Sequence, residues 1–178
     1  MLNKQIVMNM LKLDDLFVSY GDSRFAELAV FLDLLRSLQF LHQQHHWQVA
    51  GSSAYGDHLL FQRLYEGLAL EIDSVGEKTA AMGGTELVAS RHSLMNMPRF
   101  LNAVQDAAGI SQTETSSNFM IRKSLLAEKS FISAGEKLMR MLEEKKQLSR
   151  GIENLLGGIL DAHETNIYLL EQRLKTIT

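Results

Sequence analysis

Cysteine is absent from this 178-residue chain, which excludes disulfides and thiolate metal sites and suits a reducing compartment such as the cytoplasm. Proline occurs once, at Pro98, and tryptophan once, at Trp47. With so few breakers, long uninterrupted helices are available to most of the chain. No stretch approaches the roughly 20 apolar residues that a membrane span needs. The N-terminal run MLNKQIVMNMLKLDD lacks both a sustained apolar core and a small-residue cleavage site, so no secretory signal is expected. Positive charge is also scarce: the formal net charge is −3. Nonspecific DNA affinity comes chiefly from Lys and Arg on phosphates, and here only Lys4 and Lys12 precede Asp14, Asp15 and Asp22, while the C-terminus offers Arg173 and Lys175 alone. DNA binding is therefore not expected. Leu, Met, Ala, Glu and Lys are plentiful and favour helix. The length implies one domain with a sizeable core.

The apolar periodicity predicts an all-α protein with four long helices. A lead-in over residues 1–22 ends at Tyr20-Gly21-Asp22, and the bundle domain covers 23–178. The first long helix is expected over about 23–50, where Leu28, Phe31, Leu32, Leu35 and Leu38 repeat at helical spacing. Gly51-Ser52-Ser53 and Gly56 break it, with Asp57 as the expected cap of a second helix over about 57–82, which Gly83-Gly84 stops. Residues 84–114 form a long connection, and Pro98 suggests a short helix beginning there. A third helix is expected over about 115–145. A fourth, over about 150–176, carries Ile152, Leu156, Ile159, His163, Ile167, Leu170 and Leu174 on one stripe. A single long crossover between the second and third helices is what a ferritin-like four-helix bundle needs.

Four residues in the second quarter of the chain read as metal ligands. His46 lies twelve positions before His58, Asp73 fifteen after it, and Glu77 four after that. Asp73 and Glu77 are one helical turn apart and project from one face. Two imidazoles and two carboxylates form a mixed set suited to a first-row divalent metal such as iron. One at a time, each would read as a packing or solvated side chain; together they read as a site. On a single helix, however, His58 and Asp73 are about 22 Å apart, whereas ligands of one ion bind at roughly 2.0–2.2 Å and lie within a few Å of one another. If the four share a metal, the imidazoles come from one subunit and the carboxylates from a neighbour across a two-fold axis. His42, His45 and His92 read as structural or surface residues, and His163 and Glu164 as helix packing.

The segment from His46-Trp47 to Glu77 resembles the signature of the Dps family, the mini-ferritins of bacteria and archaea: a His-Trp, a short loop with Gly, a His, then Asp and Glu on the second helix. The resemblance extends upstream through FAELAVFLDLLRSLQFLHQQHHW and downstream through MGGTEL and HETNIYLLEQRL, with Tyr168 where that family usually has Trp. It implies a ferritin-like bundle with a short helix in its crossover, at the dimer interface. It further implies inter-subunit ferroxidase sites built from His46, His58, Asp73 and Glu77, and a homo-oligomer, a dodecamer, with a hollow interior. The implied activity is oxidation of Fe(II) by hydrogen peroxide, or more slowly by dioxygen, with storage of ferric oxide and protection against oxidative stress. Trp47 would then sit near the iron, and Glu153 is a weak candidate for lining a pore. One departure stands out. Four positions after the second His, many members carry another carboxylate that helps to hold a second iron; here that position is Gln62, with Glu66 one turn further on. The alternative expectation is thus a non-catalytic ferritin-like shell with a degenerate metal site.

Overall fold

The computed structural model describes residues 12–109 and 116–175. Among these, every regular element is helical: α1 (Leu13–Phe17), α2 (Ala26–Gln48), α3 (Ala54–Gly83), a 3-10 turn (Thr85–Val88), α4 (Ser90–Ala108), α5 (Ser117–Glu144) and α6 (Arg150–Leu174). The four longest, α2, α3, α5 and α6, make a helical bundle, and α4 lies in the connection between α3 and α5.

Helix α2 is the axis of the core. Every residue from Ala26 to Leu35 is buried, because α3, α4 and α5 all pack against it. A helix buried on all sides needs partners for any charge it carries, and both of its buried carboxylates have them. Lys145 Nζ lies 2.5 Å from Glu27 Oε1. Asp33 accepts from the Tyr20 hydroxyl at 2.6 Å, the Ser93 hydroxyl at 2.6 Å and Asn96 Nδ2 at 2.8 Å. Phe31 meets Phe131 of α5 edge-on, with ring centroids 5.0 Å apart. The close approach of the helices requires glycine at position 135: a Cβ there would lie 2.7 Å from Leu160 Cδ2 and 3.0 Å from Phe31 Cε2. Burial of each large side chain in this core contributes roughly 1.5–3 kcal/mol.

Several boundaries differ from expectation, each for a local reason. Helix α3 begins at Ala54, with Ser53 as its N-cap and Asp57 inside its first turn. Asp57 instead accepts a hydrogen bond from Ser53 Oγ at 2.7 Å and two from Arg173, a tertiary link. Helix α4 is longer than the short helix expected from Pro98, running from Ser90 with the proline in its interior. Pro98 lacks the N–H that would bond to the Leu94 carbonyl; both residues are exposed, where water can satisfy that carbonyl. His92, expected at the surface, is 4% exposed and stacks on Tyr20 at 4.3 Å between ring centroids. From the lead-in, Leu16 and Tyr20 enter the same core as α2. Residues 1–11 of that lead-in, and 110–115 of the crossover, lie outside the described residues.

Candidate functional site

Helices α2 and α3 are joined by the five residues 49–53, where Val49 turns the backbone to an extended conformation and Gly51 takes a φ of 91°. The return is tight enough that His46, in the last turn of α2, meets His58, early in α3. Their rings stack with centroids 3.6 Å apart and an interplanar angle of 28°. The contact is reciprocal: His46 Nδ1 donates to the His58 carbonyl at 3.0 Å, and His58 Nδ1 donates to the His46 carbonyl at 3.0 Å. A carbonyl oxygen only accepts, so Nδ1 carries a proton in each ring, and the tautomer this selects has its lone pair on Nε2. That is the tautomer in which a second-shell hydrogen bond orients a metal-ligating imidazole. His46 is buried and His58 exposed, so the pair opens at the surface. Tyr65 meets the His46 ring edge-on at 5.1 Å. Trp47 is 63% exposed, so core packing does not account for it within one chain.

Asp73 and Glu77 are both exposed on α3, the same 30-residue helix as His58. Fifteen residues of α-helix separate His58 from Asp73 by about 22 Å. The chain brings His46 to His58 but does not bring the carboxylates to them. Among the described residues, no three His, Asp or Glu side chains form a group poised to hold a cation. Leu59, Gln62, Glu66, Leu70, Asp73 and Glu77 follow one another at intervals of three or four, so they share one face of α3. Leu70 on that face is 78% exposed and Leu59 46%. Gln62 Nε2 donates to Glu66 Oε1 at 2.8 Å, so the neutral residue at the departing position is tied to the next carboxylate along the helix.

The bundle interior holds a second group of chemistry-bearing residues. His42 Nε2 lies 2.8 Å from Glu128 Oε1, the other Glu128 oxygen bonds to His163 Nδ1, and His163 Nε2 lies 3.0 Å from Glu71 Oε2. The chain of hydrogen bonds continues from His42 Nδ1 to Ser124 Oγ at 3.2 Å, which contacts His45 Nδ1 at 2.8 Å. Burial works against charge on Glu128, yet the positive His163 and the hydrogen bonds from His163 and His42 hold its carboxyl down to about 2. Burial likewise opposes a charged His163, but the Glu128 carboxylate and the bonds to Glu128 and Glu71 push it up to about 9. Burial first, then the electrostatic influence of neighbouring His42 and Lys123, drives His45 well below its ordinary value, so it is neutral. The packing role expected for His163 is present, together with an ionic network that the sequence reading did not find. The signal was there: Ile121, Ser124, Glu128, Phe131, Gly135 and Leu138 form one i+3/i+4 stripe of α5, so Glu128 stands on a core face. Glu164 is exposed, and Glu153 pairs with Arg150 at 2.7 Å.

No protein-family model matches this chain, and no curated protein matches it either. No helix among the described residues is long and apolar enough to cross a membrane.

Proposed function

We propose that this chain is a Dps-like ferroxidase of ferritin-like fold, which oxidises Fe(II) with hydrogen peroxide at sites shared between two subunits and stores the ferric product in a hollow homo-oligomer. The observation that carries the reading is the His46–His58 pair, in which each Nδ1 is bonded to the other residue's carbonyl and both Nε2 lone pairs are left for a ligand. Imidazole nitrogens suit first-row divalent ions, and carboxylates complete the set. The exposed Asp73 and Glu77 lie on an α3 face that also carries exposed Leu59 and Leu70. A second copy packed antiparallel on that face would cover the leucines and bring its carboxylates to this chain's imidazoles, because residues near 66 would then lie close to the axis. Assembly of six such dimers into a dodecamer follows from the resemblance to the Dps family.

In this mechanism iron is substrate. Two Fe(II) and one hydrogen peroxide with two protons give two Fe(III) and two waters, so peroxide is consumed without releasing a one-electron radical. The protein fixes the ligands around the ion and leaves positions open for peroxide. The first iron position uses His46, His58 and the neighbour's carboxylates. The second is weakened by Gln62, a neutral side chain engaged with Glu66. That same contact favours the second reading, a non-catalytic ferritin-like shell. Addition of Fe(II) and peroxide to the metal-free protein, followed by size-exclusion chromatography with iron detection, separates the two. Rapid oxidation with iron eluting in a large oligomer supports the ferroxidase, and Asp73→Ala/Glu77→Ala should abolish it while leaving the chain folded. Oxidation no faster than in buffer, or unchanged in the double variant, overturns it.

A further inference from the structure

The hydrogen-bonded chain inside the bundle draws one residue from each long helix: His42 from α2, Glu71 from α3, Glu128 from α5 and His163 from α6. His42, Glu128 and His163 are fully buried, and Glu71 is 19% exposed. Stability alone is a poor account of such a group, since buried ionic networks can often be replaced by apolar residues at no cost. The cores of helical bundles are also where ligand and metal sites are assembled from facing helices.

We propose that Glu71 and His163 Nε2 hold a first-row divalent cation at the edge of the bundle interior, with Glu128 behind His163 as the carboxylate that orients its ring. Two donors bound at roughly 2.0–2.2 Å on adjacent corners of an octahedron or tetrahedron are about 2.8–3.6 Å apart. His163 Nε2 and Glu71 Oε2, now hydrogen-bonded, are 3.0 Å apart, within that range. The bond from His163 Nδ1 to Glu128 supplies the carboxylate–histidine arrangement that sets tautomer and basicity in metal sites. A groove of ≈ 300 Å³ between α3 and α6, lined among others by Leu64, Leu68, Glu71, Thr165 and Asn166, reaches Glu71, with the buried His163 behind it. No group of three His, Asp or Glu side chains among the described residues could hold a cation, so Glu71 and His163 would supply two ligands and water the rest. The cation displaces the proton on His163 Nε2 to solvent. Arg63 also lines the groove and adds an opposing positive charge. None of these residues belongs to the His46, His58, Asp73 and Glu77 set, so this cation site is independent of the ferroxidase reading.

The test is a cobalt(II) titration, by visible absorbance and equilibrium dialysis, of the full chain carrying His58→Ala, Asp73→Ala and Glu77→Ala. Those changes disable the surface set at exposed positions. One cobalt(II) per chain is expected to remain. Adding Glu71→Gln, which keeps a hydrogen-bonding group beside His163, should weaken its binding roughly 10–100-fold, the range seen when metal-site partners are removed. Circular dichroism melts confirm that each variant is folded. The proposal is overturned if the triple variant binds no cobalt(II), or if Glu71→Gln leaves the affinity unchanged.

Discussion

Arg173, at the end of α6, grips Asp57, at the start of α3, through two nitrogens: Nε lies 2.5 Å from Oδ1 and Nη2 lies 3.0 Å from Oδ2. Asp57 is 1% exposed and immediately precedes His58, whose carbonyl accepts from His46. The pair thus joins the far end of the chain to the backbone that orients the stacked histidines. Burial alone would raise the Asp57 carboxyl; the hydrogen bonds from Arg173 and Ser53, with the guanidinium charge, more than reverse this and lower it.

Arg173→Leu should therefore cost about 3 kcal/mol, the low end for stranding a buried charge, because Ser53 still donates to Asp57. Chemical denaturation of wild type and variant measures it. Asp57 has a depressed folded-state value, so its contribution is present above the ordinary carboxylate range and is lost as pH falls through the folded value. The stability gap should hold at neutral pH and close in acid. A gap that stays constant down to strong acid would remove Asp57 from the explanation. Under the ferroxidase reading, iron oxidation should also slow, although Arg173 is no ligand.

Leu70→Lys tests the two-fold arrangement. Leu70 is 78% exposed, so the change should alter the stability of an isolated chain by less than about 0.5 kcal/mol. If the α3 face packs on a second copy, two lysines are forced into that contact and the assembly should dissociate. Sedimentation velocity reads the outcome directly. An unchanged oligomer would place the contact elsewhere.

Gln62→Glu should strengthen the second iron position by supplying the missing carboxylate. Its cost is small: the introduced carboxylate and Glu66 would be like charges one turn apart, roughly 0.2–0.5 kcal/mol. Stopped-flow mixing with Fe(II) and peroxide should show more iron oxidised per chain in the fast phase than in wild type. An identical amplitude would mean that Gln62 does not limit the site.

The helices were legible because their signals are local. Leu28 to Leu38 mark α2, Gly83-Gly84 ends α3, and Ser149, whose hydroxyl accepts from the Ile152 N–H at 3.3 Å, starts α6 close to its expected boundary. Asp57 misled because aspartate near a helix start reads as a cap, whereas its true partner is 116 residues away. Pro98 misled because its cost falls on an exposed side of α4 that water can satisfy. The pairing of His46 with His58 followed from a short return between helices, and the motif itself pointed there. Glu71, Glu128 and His163 could not be joined in advance, since their contacts span 35 and 92 residues and depend on how three helices are placed.

The interior network also sets a pH window for stability. His163 is raised to about 9, so its contribution is full below the ordinary histidine value near 6.5 and is lost as pH climbs through about 9. Glu128 is lowered to about 2, so its contribution is full above about 4.5 and is lost as pH falls toward 2. Both are complete only between about 4.5 and 6.5, which is where thermal unfolding should show the pair's maximum effect. Glu128→Gln leaves His163 with a neutral neighbour at Nδ1 and should cost roughly 3–5 kcal/mol in that window. The difference between wild type and variant should shrink on the alkaline side, where His163 loses its proton in both proteins. A difference that is flat from about pH 5 to about pH 10 would show that packing, not the ion pair, accounts for the loss.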